Sequence, residues 1–233
     1  MHFVNWQRKI SVEEQNGQKV MVKRNKPTKL FHEFLIIYAY SLISLLFFHP
    51  SPPPTFSEIT RNEGYEMRNN LKKIGIRTPK LFSMSDTNLI EEYIEGGNLY
   101  LALASGSDIL LAYEAGCITG KLHEAGYAFV DNKAQNYLVT GDSVIRTDLS
   151  FMKKTRSHYS KSMDIGSFLA SVIDLGRYGE IVQSFHDGYL SESDSKFSYL
   201  SILIRNVLSV GFSSNSKTTL RNILLDSRTF IGV

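Results

Sequence analysis

Phe129-Val130-Asp131-Asn132-Lys133-Ala134-Gln135-Asn136 sets a carboxylate, an ammonium and a carboxamide at fixed offsets. Thr147-Asp148-Leu149-Ser150 follows after a short interval. A phosphoryl-transfer site needs these groups. One carboxylate orients the attacking hydroxyl, an amide oxygen and a second carboxylate hold a metal, and a cation offsets charge on the moving group. Between the clusters, Tyr137-Leu138 and the turn Thr140-Gly141-Asp142 read as two short strands joined by a hairpin.

The rest of the composition permits such a site. The chain has 233 residues, 42% apolar, enough for one compact domain or two lobes around a cleft. A net charge of +3 allows an acidic partner without calling for nucleic acid. Cys117 is the single cysteine, so no internal disulfide forms, and a reducing compartment is expected. The six histidines are scattered and suggest no metal cluster. No apolar run follows Trp6, Arg8 and Lys9, so no secretory signal is expected. Phe34 to Phe48 is apolar apart from Tyr38, Tyr40, Ser41 and Ser44. It is shorter than the roughly 18–20 residues that span a bilayer. It reads as a buried helix, with a membrane-surface or partner-facing helix as the alternative. The expected location is cytoplasmic, with membrane association through residues 34–48 under that alternative.

Upstream of the two clusters the chain changes character several times. Lys9 to Glu13 and Lys19 to Lys23 alternate, and Asn16-Gly17 between them is a strong hairpin turn. Asn25-Lys26-Pro27-Thr28 ends the second strand, and Ser51-Pro52-Pro53-Pro54 is a rigid extended linker. Glu58 to Ile74 reads as one helix ending at Gly75, with Glu63, Met67, Leu71 and Ile74 on one face. Arg77 to Phe82 and Asn88 to Gly97 form a strand pair. Ser107 to Ala125 is a further helix, capped by Ser107 and ended by Gly126. Helices are expected from Met163, over Arg177 to Gly188, over Tyr199 to Val210, and in a last piece ending near Asp226.

Taken together, these pieces resemble the protein-kinase-like superfamily over roughly residues 10–170. Asp131, Lys133 and Asn136 match the D-x-K-x-x-N of serine/threonine kinases. Val20-Met21-Val22-Lys23 resembles the V-A-I-K strand, and Glu91-Glu92-Tyr93-Ile94 the hinge. Leu122-His123 resembles the pair that closes a core helix. Asp164 resembles an aspartate that hydrogen-bonds the catalytic-loop backbone. The chain is most similar to atypical small archaeal-type kinases, the kinase subunit of the KEOPS complex and the RIO kinases. It departs from them at Phe129, where a histidine is usual, and at Asp148-Leu149-Ser150, which replaces D-F-G. Met21 stands where a small alanine is usual, Glu91 where the gatekeeper is apolar, and no glycine-rich loop precedes the hairpin.

The resemblance implies an α+β, two-lobed fold, with a β-rich N-lobe over residues 1–93 and a helical C-lobe over 94–233. It implies an ATP- and Mg-dependent phosphotransferase, foremost a serine/threonine protein kinase. Asp131 would be the base and Lys133 would neutralise the moving phosphoryl group. Asn136 and Asp148 would ligate Mg2+. Lys23 would take the phosphates and pair with Glu63, with Glu66 as competitor. Glu92 and Ile94 would line the nucleotide. Phe151 to Ser162 would be a short activation segment. Its Lys153, Lys154, Arg156, His158 and Lys161 read as a solvated loop or as a platform for an acidic, phosphorylated or RNA partner. The acceptor is a protein or a small molecule, and an activating protein partner fits the reduced N-lobe. A lipid-headgroup kinase and a non-catalytic pseudokinase-like binding module are the alternatives.

Overall fold

Two residues in the left-handed region start the fold. Asn16 (φ 52°) and Gly17 (φ 76°) form the two-residue turn whose twist suits a hairpin. They join β1 (Arg8–Gln15) to β2 (Gln18–Asn25), with Gln15 opposite Gln18. This computed structural model describes residues 8–25, 41–42, 44–45, 55–141, 143–194 and 199–212. β3 (Leu81–Met84) and β4 (Asn88–Glu92) complete an antiparallel sheet of order β1-β2-β4-β3. Val20 and Val22 are buried on one face of β2, while Lys23 is buried on the other. The pairing of Met21 with Glu91 and Lys23 with Leu89 puts Glu91 on the lysine's face.

Between β2 and β3 the expected single helix is two. α1 (Phe56–Glu63) starts at Thr55, which shares a reciprocal capping box with Glu58. Gly64, in extended conformation, stops it, and α2 (Tyr65–Lys73) restarts the helix. Glycine is a poor helix former, and here the chain bends at it. Glu63 and Leu71 are buried and Met67 and Ile74 pack on the core as that face predicts, and Arg68 beside them is buried as well.

After Glu92 the long elements are helical: α3 (Leu99–Ala104), α4 (Leu110–Glu124), α5 (His158–Ser171), α6 (Tyr178–Leu190) and α7 (Tyr199–Phe212). Two small hairpin-like sheets sit among them: β5 (Tyr127–Ala128) with β8 (Lys153–Lys154), and β6 (Tyr137–Thr140) with β7 (Ser143–Arg146). The fold class is α+β. The core runs from Leu71 and Ile76 through α4 to Phe168, Phe185 and Tyr189, and Phe168 stacks on Phe185 at 3.9 Å between centroids. α4 and α6 approach so closely that a Cβ on Gly188 would lie 1.9 Å from the Tyr113 carbonyl oxygen.

Several boundaries differ from the sequence reading. α4 begins at Leu110, because the Asp108 side chain, not Ser107, receives an N–H of its first turn. α3 was not expected. The segment after Ser150 is less loop than expected: it forms β8, and α5 already begins at His158. Most of the apolar stretch 34–48 lies outside the described residues. Of the part described, Leu42 and Leu45 are exposed and helical, and Ser44 is buried. The last expected helix, near Asp226, also lies outside. No helix among the described residues is long and apolar enough to cross a membrane.

Candidate functional site

The Asp131 loop is held from below. Val130 takes a left-handed backbone, φ 70°, which is costly for a β-branched residue. Such strain persists only where surroundings impose it, at about 1–3 kcal/mol per residue. Here the buried Asp164 carboxylate imposes it, accepting the N–H of Phe129 at 2.7 Å and of Val130 at 2.5 Å. His123 fixes that carboxylate with Nε2 at 2.9 Å, while its Nδ1 meets the Tyr189 hydroxyl at 2.9 Å. Asn132 faces inward, between Thr119 and the Tyr137 hydroxyl. The neighbouring Asp131 and Lys133 are left partly exposed.

Asp131, Lys133 and Asn136 come together. Lys133 Nζ lies 3.0 Å from Asp131 Oδ2, and Asn136 Nδ2 donates to the same oxygen at 3.2 Å. Among the described residues no partner engages Asp131 Oδ1, so one oxygen can still accept a proton. Asn136 spends its nitrogen on Asp131 and keeps its amide oxygen for a ligand. Asp131 raises the Lys133 ammonium above its ordinary value; burial opposes this and Asp148 adds to it.

Arg146 ties this loop to Asp148. Its guanidinium donates to the carbonyls of Asn136 at 3.1 Å, Asp131 at 3.0 Å and Asp148 at 3.2 Å. It also stacks over Phe129, 4.1 Å from the ring centroid. Phe129 therefore serves as the apolar floor for a buried cation. Asp148 is left-handed too, at φ 55°. Burial disfavours its charge, but Lys23, Lys133 and Arg146 outweigh that and hold its carboxyl below the ordinary aspartate value.

Lys23 reaches the same place from the sheet. Its Nζ lies 3.1 Å from Thr147 Oγ1, next to Asp148. The expected pair with Glu63 does not form, nor does one with Glu66: Lys23 binds Glu91 Oε1 at 2.5 Å. The strand register is the reason, since it puts both side chains on one face. Glu63 points past Lys23 to the chain after Asp148, accepting from Leu149 N at 3.1 Å and Ser150 Oγ at 2.8 Å. Arg68 spans the two carboxylates, 2.8 Å from Glu91 and 3.2 Å from Glu63. Asn62 adds bonds to the carbonyls of Ser150 and Met152. Burial works against charge on Lys23, yet Glu91, Glu63 and Asp148 hold its ammonium above the ordinary value.

The remaining expected residues flank this cluster. Glu92 ends β4, and its N–H and carboxylate are taken by Lys80. Ile94 follows outside the sheet, and no described backbone partner takes its N–H. The chain there lies against β6: a Cβ on Gly96 would come 2.1 Å from the Val139 carbonyl oxygen. Ile10 pairs with Lys23 and Val12 with Met21, so both share the lysine's face, yet they are 59% and 49% exposed. That leaves an apolar strip beside the cationic end of the sheet.

Asp148 and Asn136 carry the oxygen donors a Mg2+ ion would take. That ion takes one or two protein carboxylate oxygens and keeps waters and substrate phosphates for the rest. Asp148 and Asn136 Oδ1 would supply the protein oxygens, and among the described residues no cluster of three or more His, Cys, Asp or Glu competes for a metal. Sequence reasoning missed Arg68, Arg146, Thr147 and Asn62. Arg146 had a signal, as a lone charge ending the apolar run Val144-Ile145. Arg68 had none, because the partners that bury it, Glu91 and the Pro79 carbonyl, lie on other segments. A scan against protein-family models finds no match for this chain, and a search of the curated proteins finds none.

Proposed function

We propose that this protein is an ATP- and Mg-dependent phosphotransferase with a two-lobed, protein-kinase-like arrangement, acting foremost on serine or threonine hydroxyls of a protein. The observation that carries the reading is the convergence of Lys23, from the sheet, with Asp148 and the Asp131-Lys133-Asn136 loop. Asp131 Oδ1 accepts the proton of the acceptor hydroxyl as the hydroxyl oxygen bonds the γ-phosphorus and the bond from that phosphorus to ADP breaks. Lys133 offsets charge on the transferring group, and Lys23 holds the phosphates of the donor. Asn136 and Asp148 would hold Mg2+, which would supply positive charge to offset that of the phosphates. Ile10, Val12 and Met21 give the adenine an apolar roof, and the Ile94 N–H gives it an edge donor. Lys154, Arg156 and His158 are exposed at alternate positions beside the loop and suit an acidic acceptor.

A second reading has one observation in its favour. Glu91 stands where the gatekeeper is usually apolar and puts a buried carboxylate beside Lys23, which favours a non-catalytic binding module. Calorimetric titration with a non-hydrolysable ATP analogue and Mg2+ separates the two. Under the proposal the wild type binds, and Lys23→Met and Asp148→Asn each weaken binding by about tenfold or more, since each removes a charge-assisted contact. Absence of binding, or binding indifferent to both substitutions, overturns the proposal.

A further inference from the structure

The peptide group that joins Asp148 to Leu149 is held at both ends. Arg146 donates to its carbonyl at 3.2 Å, and the Glu63 carboxylate accepts its N–H at 3.1 Å. With that plane fixed, the Asp148 backbone is kept in the left-handed region, at φ 55°. A residue with a side chain keeps that conformation only where its surroundings impose it. The direction of the Asp148 carboxylate follows from it. The clamp continues along the chain. Ser150 Oγ donates to Glu63 Oε1 at 2.8 Å, and Asn62 Nδ2 donates to the Ser150 carbonyl at 3.0 Å and the Met152 carbonyl at 2.8 Å. Asn62 and Glu63 are the last two residues of α1, and both are buried.

Three carboxylates stand near Lys23: Glu91, Glu63 and Asp148. Their tasks differ. Glu91, from β4, pairs with the lysine at 2.5 Å. Glu63, from α1, takes the chain that follows Asp148. Arg68 joins the two, 2.8 Å from Glu91 and 3.2 Å from Glu63. Its Nε also donates at 3.1 Å to the Glu63 carbonyl, one of those left open where α1 ends. We infer that Asn62 and Glu63 are positioning residues for Asp148, which set the affinity of the site for a divalent cation, while the sheet supplies the lysine's carboxylate through Glu91. The helix thus acts on the metal loop and the sheet on the lysine. This inference rests on the phosphotransferase reading.

Two titrations separate the tasks. In the first, Mn2+ in place of Mg2+ is titrated into protein with the non-hydrolysable ATP analogue present. The protein-bound ion is read by electron paramagnetic resonance, with the analogue alone as blank. In the second, the analogue is titrated at saturating Mg2+ and read by calorimetry. Glu63→Ala is expected to weaken Mn2+ binding by about 10- to 100-fold, as loss of a group that orients a metal ligand does. Its affinity for the analogue at saturating Mg2+ is expected to stay near the wild-type value. Glu63→Gln keeps an oxygen for Leu149 and Ser150 and is expected to restore most of the Mn2+ affinity. Glu91→Gln is expected to do the reverse, weakening the analogue by about tenfold and leaving Mn2+ affinity in place. If Glu63→Ala does not fold, Asn62→Ala carries the same expectation with a smaller loss. A merely structural role would lower the melting temperature and leave the Mn2+ affinity of the folded variant unchanged. That result, or a Glu63→Ala loss of analogue affinity at saturating Mg2+ equal to that of Glu91→Gln, overturns this inference alone. A wild type that binds neither the analogue nor Mn2+ overturns both it and the phosphotransferase reading.

Discussion

Replacing Arg146 with methionine removes a buried fork that meets three carbonyls and two aromatic rings, those of Phe129 and Tyr137. The losses are unequal. The Asn136 carbonyl keeps the Thr147 N–H at 3.0 Å, and the Asp131 carbonyl keeps Asn136 Nδ2 at 2.9 Å. Among the described residues, the Asp148 carbonyl has only Arg146. Stranding one buried acceptor costs about 1–3 kcal/mol. Loss of the stacked cation over Phe129 adds about 0.5–2 kcal/mol. The expected destabilisation is therefore about 2–5 kcal/mol, or roughly 5–20 °C in melting temperature for a chain of this size. Arg146→Lys keeps the charge without the fork and falls between. Urea unfolding followed by circular dichroism reads the effect as a lower midpoint at constant slope. A loss below about 1 kcal/mol for Arg146→Met would refute the reasoning, because the fork would then not be what binds the Asp131 loop to Asp148.

Other consequences follow from single contacts. Gly188→Ala drives a methyl group into the Tyr113 carbonyl, so a loss of about 3 kcal/mol is expected in the same unfolding assay. Burial raises the Glu91 carboxyl, but Lys23 and Arg68 outweigh it, and the folded value lies below the ordinary 4.5. A depressed value means that the contribution is whole above 4.5 and fades as pH falls through the folded value. The stability gap between wild type and Glu91→Gln should therefore narrow below pH 4.5. Lys23, raised above 10.5 in the folded chain, contributes fully below 10.5 and loses its share as pH rises past the folded value. The gap between wild type and Lys23→Met should narrow there. Asp164→Asn withdraws the charge that holds Phe129 and Val130, and a loss of about 2–4 kcal/mol is expected on thermal melting.

Local chemistry carried much of this molecule into its sequence. Asn16-Gly17 announced its turn because only a few residue types accept a left-handed backbone in succession. Asp131, Lys133 and Asn136 lie within six residues, so their offsets alone placed them together. Asp164, by contrast, became legible only through a family pattern. The misreadings are nonlocal. Whether Lys23 finds Glu63 or Glu91 depends on the β2–β4 register, a pairing between segments more than sixty residues apart. The end of α1 depends on Gly64, across which helical periodicity reads as unbroken. Arg68 and Glu91 were each visible as charges, and neither could be seen as the other's partner.

The most direct measurement follows the γ-phosphate of labelled ATP with Mg2+ and a generic acceptor protein, for wild type beside Asp131→Asn. The substitution keeps the size of the side chain and removes the base. The account predicts label transferred to protein by the wild type, and a rate about 10²–10⁴ lower in the variant. Transfer equal in the two proteins, or none from a wild type shown to be folded, would contradict it.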